Sequence, residues 1–524
     1  MKITFYGGAT VGTGSCYLIE IGEENLLVDC GMQRGQDEFD NNNLGFYASH
    51  LDHVIATHGR IDYGGRLPIL VRDGFYGNIY TTEQIKNVLG IMLEEAAVVH
   101  THHAERYNNK GRRKGLPPVE PLYTVADVQA AIQQTSTVAY GETITLSPCI
   151  KMRLQDGGHY FGSAIVELWL TEGDVTRKLV FSGCLGNRNK EGGKPPSIVT
   201  EADYVVLDAI CCNEIHPTET FFKRDLAEVL DNTFTHGGTA VIPASMTGHC
   251  VELLRTLKQI KEEGLVSSVP EFPVYFDNGV SATIAEMSEK FAPEPERASE
   301  FTFEGLHRCA TLEESRALND DPTPKLIIAP MGDSEHGRVT HHLKHLLWSK
   351  NNTVILLGNQ DETSLSQRLL DGITHVSILE EEFNVNATIT KVEGMPSRAD
   401  KQQLCRWMGH FTTPPERVFV VRTQTGTIED FSEMLAKQGM EAHLPFNRQV
   451  YDLLENKVVE DGYREKESQR HRSRFHIREY VKLQDTVSEL SSLARNPRIN
   501  RMEDFVFLSK QIDEIITYWE EKLK

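Results

Sequence analysis

Apolar and polar positions alternate in short runs through the first two hundred residues. Segments 25–29, 54–57 and 178–181 read as strands, each followed by a glycine-rich turn. Between them, 83–100 and 125–134 repeat apolar residues at helical spacing, so strands and helices interleave and a layered α/β domain is predicted. A second α/β set follows, in which 240–243, 274–277, 326–329 and 354–357 are apolar runs expected to be buried strands of a doubly wound sheet. Strand signals resume at 387–393 and 418–421, and these are expected to return to the first domain and complete it. Past residue 448 charge rises, and 477–493 and 505–523 carry apolar residues at i, i+3, i+4 and i+7 on either side of Asn496-Pro497, which predicts a helical hairpin. The expected division is a first domain at 1–208, an insert at 209–387, completing strands at 388–450 and a helical C-terminal extension at 451–524.

A length of 524 residues exceeds what one hydrophobic core organises, which agrees with more than one domain. The formal charge of -21 disfavours adhesion of nucleic acid to the whole surface but leaves room for a local basic channel. One basic segment, 108–114 with Lys110, Arg112, Arg113 and Lys114, reads as a solvated loop or as a phosphate contact. Nine cysteines are scattered, with only Cys211 and Cys212 adjacent, which predicts free thiols in a reducing compartment. The chain opens directly into the strand-like run from Lys2 to Tyr6, and no apolar run reaches membrane-spanning length. A cytoplasmic protein that does not contact membrane is expected.

The loop Thr57-His58-Gly59-Arg60-Ile61-Asp62-Tyr63-Gly64 places a histidine and an aspartate in a tight turn, with arginine and tyrosine between and beside them. Four further segments carry chemistry: Asp29 in Leu27-Val28-Asp29-Cys30-Gly31, His159 in Gly157-Gly158-His159-Tyr160, Cys184 in Ser182-Gly183-Cys184-Leu185, and Arg398 in Ser397-Arg398-Ala399-Asp400. In order and spacing they resemble the motifs of the β-CASP branch of the metallo-β-lactamase superfamily, RNA- and DNA-processing nucleases that include the mRNA 3′-end processing endonuclease. The resemblance extends to Ile242-Pro243-Ala244-Ser245 leading to Gly248-His249, to the run from Pro273 to Asp277, and to the run from Gly337 to Leu347, and covers roughly residues 1–445. It implies an αββα sandwich with an inserted doubly wound β-CASP domain, followed here by the C-terminal helical hairpin. It also implies a loop of the form H-x-H-x-D-H holding two divalent cations.

Carried over by position, the resemblance finds His58, Asp62 and His159 matched, and Asp208 at the family's acidic position after the second-domain crossover. Arg60 and Tyr63 stand where loop histidines are expected, Cys184 where a bridging aspartate is expected, and Arg398 where a late histidine is expected. Arg368 occupies a position at which some members carry histidine, with His341 or His342 as a local substitute. His249 is the basic residue after Ile-Pro-Ala, and the late His-Gly-Glu segment reads Arg422-Thr423-Gln424. A dinuclear site sums to a net charge of about plus one. Arg60 and Arg398 set against Asp62, with Cys184 as a neutral thiol, reach the same net charge without metal. Two guanidiniums would repel cations by several kcal/mol at ligand distances.

The expectation is therefore no dinuclear centre and no cofactor, with zinc at a single residual site drawn from His58, Asp62, His159 and Cys184 as the alternative. One functional hypothesis is a catalytically silent pseudoenzyme that binds single-stranded nucleic acid, RNA before DNA, or scaffolds a larger complex, with Arg60, Arg398, His249, Ser281 and His341 on the substrate. A second is an active mono-zinc hydrolase using His58, His159 and Cys184, with Asp62 and Asp208 as catalytic carboxylates. A third is an interaction module working through the C-terminal hairpin, with Phe505, Ile512, Ile516 and Trp519 as a face for a protein partner or a second copy.

Overall fold

The structure is a computed structural model. It describes residues 1–33, 41–112, 117–159, 162–187, 194–216, 219–244, 249–277, 303–309, 311–330, 338–358, 360, 364–378, 381–393, 397–423, 428–462 and 509–510. Residues 1–464 form one compact unit and 465–524 a second. The hairpin expected at 477–523 lies outside the described residues apart from Ser509 and Lys510, which are helical.

Two mixed sheets face each other in the first lobe. The first has eight strands in the order Lys457–Glu460, Val450–Asp452, Lys2–Gly7, Cys16–Ile21, Glu24–Val28, His53–Ile55, Asn78–Thr81 and Thr135–Thr137. The second has seven, in the order Ala442–His443, Arg417–Val421, Tyr204–Asp208, Val175–Phe181, Ala164–Glu172, Ile150–Asp156 and Thr143–Thr145. Alternation explains how they seal. In Ile150–Asp156 the buried Ile150, Met152 and Leu154 point inward while Lys151 is exposed, so one face of the strand is apolar. These residues meet Ile3, Phe5, Ile19, Leu26 and Val28 from the first sheet in a shared core.

Each sheet then buries its outer face under helices. Leu67–Arg72, Glu83–Arg112 and Val125–Gln133 cover the first through Leu70, Leu89, Leu93 and Val128. Lys401–Met408 and Glu429–Ala436 cover the second through Leu404, Met408, Phe431 and Leu435. This is the expected αββα arrangement, each fully buried Leu, Ile or Phe contributing about 1.5–3 kcal/mol.

The insert is a six-stranded parallel sheet ordered Leu306–Arg308, Val274–Phe276, Leu326–Pro330, Ala240–Ala244, Thr353–Leu357 and Thr388–Val392, with an apolar cluster on each face. Two boundaries differ from the sequence reading: residues 451–460, expected to open the helical extension, instead lie in the strands Val450–Asp452 and Lys457–Glu460 of the first sheet and the turn between them, Val450–Asp452 pairing with Lys2–Gly7, and the other lies at the insert. Thr388–Val392 was expected to complete the first domain, but it pairs in parallel with Thr353–Leu357 and belongs to the insert. Arg417–Val421 is the strand that returns, pairing in parallel with Tyr204–Asp208. Among the described residues, no helix is long and apolar enough to cross a membrane.

Candidate functional site

Five strands deliver their following residues to one region. His53–Ile55 leads to His58, Ile150–Asp156 to His159, Val175–Phe181 to Cys184, Tyr204–Asp208 ends on Asp208, and Arg417–Val421 leads to Arg422. The last three run parallel and adjacent, so their carboxyl ends align, the usual location for ligands on α/β sheets. Asp29 fixes the loop from behind, accepting from the Thr57 backbone at 2.8 Å and the Thr57 hydroxyl at 2.9 Å. Burial pushes its carboxyl up to about 8 against the pull of those two hydrogen bonds. Gly31 lets the loop close: a β-carbon there would overlap the Asp62 carbonyl.

His58 and Asp62 have different surroundings. His58 Nε2 faces His159 Nδ1 at 2.8 Å, and the His58 ring stacks on Tyr63 with centroids 5.2 Å apart. Burial, reinforced by Arg60, lowers the His58 pKa to about 3, so the ring is neutral. Asp62 receives Arg60 Nε at 3.0 Å on one oxygen and an Arg422 terminal nitrogen at 2.8 Å on the other. Arg422 Nε lies 3.0 Å from Asp208 Oδ2, which also accepts the Tyr63 hydroxyl at 2.6 Å. The guanidinium sits 4.3 Å over the Tyr63 ring, whose hydroxyl burial keeps protonated. Arg422 is fully buried, and its backbone takes a left-handed φ of 59° while donating to the Gly8 carbonyl.

Arg422 thus bridges the two carboxylates that were expected to serve catalysis. Its charge was left out of the sequence-level count, although a lone arginine directly after the buried strand run Val418 to Val421 was the available signal. The sequence-level assignment of Arg60 to phosphate also changes, because Arg60 is ion-paired with Asp62. Arg398 is partly buried and lies within electrostatic reach of Cys184, Tyr63 and Cys211.

The residual zinc set is not assembled. Among the described residues, a group of three donors within 4.8 Å of one another occurs at Cys211, Glu214 and His216, and His58, Asp62, His159 and Cys184 do not form one. The reason is local: Asp62 is turned to two arginines, and Cys184 is engaged with Tyr63. The space between Asp62 and Asp208 holds the Arg422 guanidinium.

Of the other expected substrate contacts, His341 is exposed on the helix Arg338–Leu346, well apart in sequence from the loop. Only the backbone of His249 is described, opening the helix His249–Glu262, and Ser281 lies outside the described residues. His342 is buried and bonded to Asp277, so it is not a substitute ligand.

Comparison with known proteins agrees with this architecture. The profile of the metallo-β-lactamase superfamily matches residues 9–145, that of the Beta-Casp domain 250–369, and that of the Zn-dependent metallo-hydrolase RNA specificity domain 382–445. A ribonuclease of Thermus thermophilus is 29% identical over 85% of this chain and 98% of its own length. A transcription termination factor, FttA of Methanocaldococcus jannaschii, is 25% identical over 83% of this chain and 69% of its own. A crystal structure of a protein of unknown function from Enterococcus faecalis covers 87% of this chain and 99% of its own at 12% identity, with a TM-score of 0.49.

These matches correct the expectation that no cofactor is used. The matched profiles describe metal-dependent hydrolases, one of them by name zinc-dependent, so zinc is the cofactor associated with this fold. With its three profiles in sequence order and both lobes in place, the chain belongs to the β-CASP branch of the metallo-β-lactamase superfamily.

Proposed function

We propose that this protein binds single-stranded RNA as a member of the β-CASP nuclease family whose two-metal hydrolytic centre has given way to a guanidinium–carboxylate network. The observation that carries this reading is Arg422 bridging Asp62 and Asp208. Hydrolysis by two metals needs those carboxylates free to meet cations. Here Arg60 and Arg422 balance them, and bringing in two divalent ions would displace buried ion pairs. RNA as ligand is supported by the RNA specificity profile over residues 382–445 and by the ribonuclease and termination-factor names of the relatives. Arg398, partly exposed and within electrostatic reach of Cys184 and Tyr63, is the guanidinium that this reading assigns to a phosphate. The same reading gives the C-terminal helices expected at 477–493 and 505–523 to a protein partner or a second copy, in keeping with a scaffolding subunit.

Fluorescence anisotropy with single-stranded RNA and a gel-based cleavage assay, both with zinc or manganese supplied, test the proposal. Binding is expected to weaken on Arg398→Ala, and cleavage is expected at least about a thousandfold below that of a two-metal relative. Cleavage at the relative's rate, abolished by His159→Ala, would overturn it.

A further inference from the structure

Directly after Asp208 the chain makes a tight turn, with Cys212 N–H donating to the Ala209 carbonyl and Glu214 N–H to the Cys211 carbonyl. The turn is then pinned to the start of the helix Lys401–Met408. His216 N–H donates to Asp400 Oδ2 at 3.2 Å, and Lys401 N–H donates to the Glu214 carbonyl at 3.1 Å. Asp400 is itself held as the cap of that helix by a reciprocal pair of hydrogen bonds with Gln403. The backbone carrying Glu214 and His216 is therefore fixed from outside the turn.

On this frame, one ligand atom each from Cys211, Glu214 and His216 lies within 4.8 Å of the other two. His216 Nε2 is buried and makes no hydrogen bond, and the Glu214 carboxylate stands 4.0 Å away. Zinc bonds of about 2.0–2.3 Å in a tetrahedron separate neighbouring ligands by about 3.3–3.8 Å, so side-chain rotations of roughly 1 Å close the set. Thiolate, imidazole and carboxylate together suit zinc and not magnesium or calcium. Charge agrees as well: a divalent ion with one thiolate and one carboxylate is neutral, so nearby Arg398 adds little repulsion. Glu214 is the most exposed of the three, which leaves a side open to water.

We propose that Cys211, Glu214 and His216 form a mononuclear zinc site with one position open to solvent, separate from the pocket of His58 and His159. Zinc here clamps the turn that follows Asp208.

The test is metal analysis and cobalt substitution on the full chain, with thermal melting as the check on folding. The wild type is expected to hold about one zinc per chain and, with cobalt, to show a thiolate-to-cobalt charge-transfer band in the near ultraviolet. Cys211→Ser should abolish the band, and Glu214→Gln and His216→Ala should each weaken zinc binding about tenfold or more, while His159→Ala and Cys212→Ser leave band and stoichiometry unchanged. His216→Ala carries the test if the cysteine variant does not fold. A folded wild type that takes up no zinc, a metal lost in His159→Ala and kept in His216→Ala, or a band that follows Cys212 would each overturn the proposal. None of these readouts depends on RNA binding or cleavage.

Discussion

Two buried aspartate–arginine knots in this molecule use the same chemistry to different ends. In the insert, Asp277 receives Arg338 at 2.7 Å on one oxygen, and Ser315 at 2.6 Å and His342 at 2.7 Å on the other. One carboxylate is met by several donors, and although burial alone would raise its pKa, those donors hold it below the usual carboxylate range. That knot ties the end of the strand Val274–Phe276 to the helices Leu312–Asp320 and Arg338–Leu346. In the first lobe one arginine is shared instead: Arg422 lies between Asp62 and Asp208, with Arg60 on the far oxygen of Asp62 and the Tyr63 hydroxyl on Asp208. On the proposed reading, a guanidinium shared by two carboxylates does the work of a cation, so its removal is expected to leave a site for one, whereas removal of Arg338 leaves a single carboxylate with its other donors.

The largest expected effect follows from that contrast. Arg422→Met should cost about 3–5 kcal/mol in urea unfolding, because buried Asp208 loses its counter-ion and Asp62 keeps only Arg60, and millimolar manganese should restore part of it. Arg338→Met should also destabilise the protein, with no recovery on adding manganese. Recovery in both variants, or in neither, would break the comparison.

A second prediction concerns rebuilding the metal loop. A variant carrying Arg60→His, Tyr63→His, Cys184→Asp and Arg398→His is expected to gain little metal affinity by calorimetry while Arg422 stays in place. Adding Arg422→His should tighten binding by about tenfold or more. Equal affinity with and without the fifth change would mean that Arg422 does not block the pocket.

Next in size, Asp277→Asn should cost about 2–3 kcal/mol through the lost charge-assisted hydrogen bonds and leave the anisotropy titration with RNA unchanged. A shifted RNA affinity would give the insert knot a part in binding.

The smallest effect comes from Glu95, a half-buried carboxylate on the helix Glu83–Arg112. Burial alone pushes Glu95 up to about 7, and its Oε2 makes no hydrogen bond. The folded state then holds a proton that the unfolded state releases above about 4.5, so its stabilising contribution is complete below that pH and is lost as pH rises through 7. Urea unfolding across this window should show a decline on the order of 1–2 kcal/mol, flattened by Glu95→Gln. A slope unchanged by the substitution would assign the decline elsewhere.

The strands and the layering were legible because burial patterns are local: the runs at 240–243, 326–329 and 354–357 all became strands of one sheet. Sheet membership is not local, and nothing within Thr388–Val392 says that its partner is Thr353–Leu357 and not a strand of the first lobe. The site divided in the same way. His58, Asp62, His159 and Asp208 were found from their motifs, and the arginine at 60 was noticed because it interrupts one. Arg422 was visible only as part of an altered segment, since its importance arises from contacts with residues more than two hundred positions away. The Cys211, Glu214 and His216 group went unread because its spacing matches no familiar ligand pattern and its frame comes from Asp400 and Lys401.

The reassignment of Thr388–Val392 to the insert shortens the tether between that sheet and the pocket. Residues 393–397 alone separate the end of the strand from Arg398, a reach of about 20 Å even when fully extended. The separation between the end of that strand and Arg398, which lies within electrostatic reach of Cys184, is therefore bounded by a few residues of chain.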